Sequence, residues 1–156
     1  MQSRLDFNKV PATIYKALAG LEEAVRASGL DRSLVDLVKL RVSQVNGCAY
    51  CIDMHWKDLK ASGEDEQRLY ELNAWRESPF YSDRERAALA WAEAVTLVAD
   101  GHVPDSAYED VRKQFSESEL GYLTLAIAAI NSWNRFSIAF RTVPGSYQPA
   151  AAGAPR

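Results

Sequence analysis

Residues 46–59 read NGCAYCIDMHWKDL, and this stretch decides how the chain folds. Upstream of it, Leu34, Leu37, Val38, Leu40 and Val45 recur at helical spacing behind Asp31 or Ser33, either of which can cap a helix. The pattern stops at Asn46-Gly47, because glycine takes the left-handed conformation that ends a helix at little cost. A second helix is expected to start near Cys48 and to stop at Ser62-Gly63. The break therefore predicts a helical hairpin folded at Gly47, in which a residue some way before the turn faces one about as far after it.

The rest of the sequence continues in the same period. Residues 11–29 place Ile14, Leu18, Leu21 and Val25 on one face, with Pro11 suited to the first turn. A short helix is expected around 65–76. Ser82 or Asp83 can cap a helix that has Glu85 in its first turn and Gly101 as its stop. The stretch PDSAYEDVRKQF reads as a short amphipathic helix. SESELGYLTLAIAAINSWNRFSIAFR is the most apolar helix, capped by Ser116 with Glu119 at the capping-box position. No segment reads as a strand, so the fold class is all-α. Residues 1–143 form a single domain in this reading. The Pro/Ala/Gly-rich residues 144–156 read as a flexible C-terminal tail or as an arm over a neighbour.

Composition narrows the function. The chain has 156 residues, 47% hydrophobic and 25% charged, as is usual for a globular domain. A formal charge of −3 gives no electrostatic reason to expect nucleic acid or an acidic membrane as partner. No run of about 18 apolar residues exists, and the N-terminus lacks the basic and apolar regions of a signal peptide. The expected location is the cytoplasm, where disulfides are more often catalytic than structural.

Both cysteines and one of the two histidines lie between residues 48 and 55. On a helix starting at Cys48, residues 48, 51 and 55 fall within roughly 60° of arc on one face. Cysteines one turn apart have Cα atoms about 5–6 Å apart, inside the range a disulfide tolerates. The helix N-terminus favours a thiolate, and His55 stands one turn beyond Cys51 as a proton acceptor. The hairpin brings Asp36 opposite residue 58 or so, within a turn of His55, where a carboxylate can orient the imidazole and stabilise its charged form. Two other readings compete with a redox dithiol. Zinc needs a fourth ligand, which only Asp36 or the distant His102 could give. Alternatively, the cysteines are inert core residues beside a satisfied histidine. The tight spacing to His55 and the upstream acid favour the redox reading, with no metal and no cofactor.

VDLVKLRVSQVNGCAYCIDMHWKDL resembles the core of the alkylhydroperoxidase D-like branch of the carboxymuconolactone decarboxylase family. The redox members carry an acid twelve residues before a Cys-x-x-Cys and a histidine four residues after it; Cys48, Cys51 and His55 match position by position. RERAALAWAEAVTL, GHVPD and INSWNRFSIAFRT extend the likeness over roughly residues 8–144. The resemblance implies an all-helical fold assembled as trimers or hexamers. It implies that Cys51 is the peroxidatic thiol, oxidised to a sulfenic acid by a hydroperoxide, and that Cys48 condenses with it to a disulfide. His55, helped by the acid and through water, takes the thiol proton. An external dithiol, of lipoyl type or thioredoxin-like, then supplies the reducing equivalents. The chain departs from the pattern at Asp36, where the best-known redox members have Glu. Two alternatives stay open: a redox sensor or thiol–disulfide binding module with negligible turnover, and a non-redox enzyme of the lactone decarboxylase kind. The lactone decarboxylases generally lack the cysteine pair.

Several other residues have two readings. His102, in the DGHVPD loop, is either a turn-shaping residue or a second relay or subunit-contact residue. Trp56, Trp75, Trp91 and Trp133 belong to the core or to subunit contacts, or line a peroxide pocket. Tyr50 either packs or sits beside that pocket. Ser43 either packs or bonds the thiolate. Asn131, Asn134 and Arg135 are polar for so apolar a helix and either bond across a subunit interface or face water; the homo-oligomer that the resemblance implies favours the interface.

Overall fold

A computed structural model describes residues 2–6 and 9–149. Among these the chain is all-helical: α1 (Ala12–Arg26), α2 (Arg32–Asn46), α3 (Ala49–Ala61), α4 (Glu66–Glu71) followed by a 3-10 turn (Leu72–Ala74), α5 (Asp83–Thr96), α6 (Asp105–Arg112) and α7 (Glu117–Phe140). No helix is long and apolar enough to cross a membrane.

The caps are local and follow the sequence. Asp31 accepts the Leu34 amide at 2.8 Å and opens α2. Gly47, at φ 69°, closes it. Capping boxes start α5 (Ser82 with Glu85) and α7 (Ser116 with Glu119). Each cap of this kind is worth about 0.5–2 kcal/mol. Two boundaries differ from the sequence reading. The helix expected over residues 65–76 tightens into the 3-10 turn after Glu71, and α5 ends at Thr96, with residues 97–100 forming turns before Gly101.

Helix α2 is the centre of the molecule and packs on α3, α5 and α7. Its buried side chains point both ways. Leu34, Val38 and Val42 join Trp91, Leu123, Ile127 and Ile130 in one cluster, while Leu37 and Leu40 join Leu59, Leu69, Leu72 and Leu89 in another. A helix apolar on both sides belongs inside, and each fully buried leucine contributes about 1.5–3 kcal/mol. Helix α1 lies on α7, with Val25 against Val35 and Ala126.

The polar end of α7 bonds within the chain, which corrects the interface reading of Asn131 and Asn134. The Asn46 side-chain amide donates to Asn131 Oδ1 at 2.9 Å and to Asn134 Oδ1 at 2.8 Å. Asn134, fully buried, donates to Ser43 Oγ, and Asn131 donates to Thr96. Ser43 is thereby committed to Asn134 and to the Lys39 carbonyl. Arg135 reaches back to Asn131. This web pins the α2–α3 turn to α5 and α7. His102 stands at φ 59° between helices, the residue that carries the turn after Gly101.

Of the tail expected beyond residue 143, residues 150–156 lie outside the described residues. The described part runs over α3. Gly145 N donates to Asp53 Oδ2, Lys57 Nζ donates to the Gly145 and Tyr147 carbonyls, and Tyr147 donates its hydroxyl to Asp58 at 2.8 Å.

Candidate active site

Helix α3 starts one residue later than its first cysteine, and Cys48 is its N-cap. The Cys51 amide points at Cys48 Sγ at 3.4 Å. The two sulfurs form a disulfide with Cα atoms 5.4 Å apart. Cys48 and Cys51 are each 1% exposed and His55 is 6% exposed, so the whole motif faces the core.

A cavity of about 690 Å³ lies against this face, walled by α1, α2, α3 and α7 and by the start of the tail. Cys51 and His55 line it, and Cys48 is not among its lining residues. Asp36 and Asp58 share the wall, as the hairpin requires. Tyr15 and Trp133, in edge-to-face contact at 5.8 Å, and Tyr50 give the cavity an aromatic side. Of the four tryptophans, Trp133 alone lines the cavity. Trp75 and Trp91 are buried and donate to Glu93 and Thr124, and Trp56 packs against the second core cluster.

His55 is the unusual group. Neither ring nitrogen has a hydrogen-bond partner among the described residues, although both are buried. Asp36 therefore shares the cavity with His55 without bonding it, and stands 3.7 Å from the Arg32 guanidinium. Burial, and then the charge of Lys39, push the imidazole down to about 3, so it is neutral at pH 7. A neutral imidazole with both nitrogens unengaged can take a proton on one and give one from the other, to a substrate or through water.

This has a consequence for stability. An unfolded histidine titrates near 6.5 and the folded one near 3, so between those values the unfolded chain holds a proton that the folded chain does not. Stability is complete above pH 6.5 and falls as pH drops toward 3, by up to ~1.4 kcal/mol per pH unit from this residue. Thermal melts at pH 7 and pH 5 should show a smaller acid shift for His55→Gln than for wild type. Equal shifts would mean that the imidazole is solvated.

Sequence reasoning missed two residues here. Lys39, 7% exposed, and Glu22 from α1 form an ion pair in the cavity wall. Lys39 had a signal: it follows Asp36 by three residues and precedes Ser43 by four, and so lies on the stripe facing α3. Glu22 had none, since its partner lies on another helix.

Comparison with known proteins agrees with this fold. Residues 12–94 match the Carboxymuconolactone decarboxylase family. The chain is 44% identical over 139 residues to the uncharacterized protein YdfG of Bacillus subtilis, covering 89% of this chain and 95% of that one. A shorter match, 42% identical over 41 residues (26% of this chain and 22% of the other), is to the alkyl hydroperoxide reductase AhpD of Bradyrhizobium diazoefficiens. Among solved structures, a protein of unknown function from Agrobacterium tumefaciens, provisionally named an AhpD antioxidant defence protein, superposes with a TM-score of 0.90. It is 42% identical, with 94% of this chain and 100% of that chain covered. A continuous family match over α1, α2 and α3, together with the Cys-x-x-Cys at the start of α3, leads to one assignment: the chain belongs to the carboxymuconolactone decarboxylase family, in its AhpD-like branch.

Proposed function

We propose that the protein is a thiol-dependent peroxidase that reduces hydroperoxides. The observation that carries this is the cavity, which opens on Cys51 and the neutral His55 but not on Cys48. After reduction of the disulfide, His55 takes the Cys51 proton. The thiolate attacks one oxygen of ROOH, the O–O bond breaks, and RO⁻ leaves with that proton as ROH. Cys51 is left as a sulfenic acid. The Cys48 thiol, one helical turn away, displaces water from it and restores the disulfide. An external dithiol, lipoyl-type or thioredoxin-like, reduces the disulfide again. Asp36 completes the proton path across the cavity through water, since it makes no direct bond to the ring.

Steady-state peroxide consumption with a supplied dithiol tests the proposal. Many turnovers per chain are expected. A single stoichiometric oxidation and then no turnover would identify a redox sensor instead, and a lactone-directed activity that survives loss of both cysteines would identify a non-redox enzyme.

We also propose a homo-oligomer, trimer or hexamer, in the cytoplasm, built from one domain over residues 1–143. The apolar run LGYLTLAIAAI of α7 is taken up by the chain's own core, with Leu120, Leu123, Ala126, Ile127, Ala129 and Ile130 buried. The support is family membership together with Ile138 and Val143, which stay 45% and 48% exposed. Light scattering should give a multiple of 17.4 kDa, and a single 17.4 kDa species would contradict it.

A further inference from the structure

A lysine almost wholly removed from water on the central helix is costly unless something needs its charge. The side chain of Lys39 is 9% exposed and bonded to Glu22 of α1. It lines the same cavity as Cys51 and His55 and is close enough to act electrostatically on the imidazole. We propose that Lys39 is the cation that holds the Cys51 thiolate once the disulfide is reduced, with Glu22 as the counter-ion that tempers its charge. This rests on Cys51 being the reactive thiol of the cavity.

The other charged groups of the wall are engaged elsewhere or stand at its rim. From α1, Arg26 is exposed. From α2, Arg32 is largely exposed and stands by Asp36. On α3, Asp58 accepts the Tyr147 hydroxyl. Helix α7 gives the wall only neutral side chains, and the remaining titratable groups are the phenols of Tyr15, Tyr50 and Tyr147. His55 is neutral at pH 7, so it shuttles a proton rather than supplying the standing positive charge. That charge comes from Lys39, added to the N-terminal end of α3.

The test uses full-length reduced protein carrying Cys48→Ser, so that Cys51 is the single thiol, and measures its alkylation by iodoacetamide against pH. Lys39→Met should move the midpoint up by about one pH unit, leaving roughly ten-fold less thiolate at pH 7. Lys39→Arg should restore the original midpoint. Glu22→Gln removes the opposing charge and should move the midpoint down. A pair that is merely structural would lower the melting temperature without moving any midpoint, and that result overturns the proposal. Should Lys39→Met fail to fold, Lys39→Gln decides in its place: a raised midpoint supports the proposal and an unchanged one overturns it. No peroxide enters the measurement. Shifted midpoints in a protein that consumes no peroxide would therefore sink the peroxidase reading and leave this one standing.

Discussion

Cys51→Ser is expected to abolish peroxide consumption, a loss limited only by the detection floor of the assay. The serine hydroxyl is nearly isosteric but cannot attack an O–O bond at neutral pH, and among the described residues no second thiol lines the cavity. Cys48→Ser should behave differently. It removes the residue that closes the disulfide, so one peroxide is consumed per chain and turnover stops. The contrast follows from placement: both cysteines are buried to the same degree, yet one faces the cavity and the other caps the helix. Equal loss of the first oxidation in the two variants would mean that the cavity does not select the nucleophile.

The second large effect belongs to His55. His55→Ala should slow the peroxide step by roughly 10²–10⁴-fold, the range for losing a general base. Asp36→Asn should cost less, because Asp36 makes no direct hydrogen bond to the ring. Asp36→Glu adds the methylene that the family's redox members carry and should match or exceed wild type if the proton path through Asp36 is used. Stopped-flow single turnovers across pH measure all three. If Asp36→Asn leaves both rate and pH profile unchanged while His55→Ala is crippling, Asp36 is a structural residue beside Arg32 and no part of the relay.

What could be read from the sequence was whatever depends on near neighbours. The Gly47 break, the caps at Asp31, Ser82 and Ser116, and the common face of Cys48, Cys51 and His55 are set by spacings of a few residues. The placement of Asp36 in the cavity wall followed from the hairpin alone. Pairings that cross the fold were not legible. Asn46 finds Asn131 and Asn134 at sequence separations of 85 and 88, and a polar residue in an apolar helix gives no sign whether its partner lies in its own chain or in another. Glu22 and Lys39 meet only because α1 and α2 wall the same cavity, and helical period says nothing about which helix comes to rest beside which. The neutrality of His55 is likewise a product of burial from all sides.

The most direct measurement treats reduced Cys48→Ser protein with one equivalent of hydroperoxide in the presence of a sulfenic-acid probe, then maps the adduct by mass spectrometry. The account predicts label on Cys51 at close to one per chain. An unlabelled Cys51 in protein that has consumed its peroxide, or label that appears on Cys48 when the converse Cys51→Ser protein is treated in the same way, would contradict it.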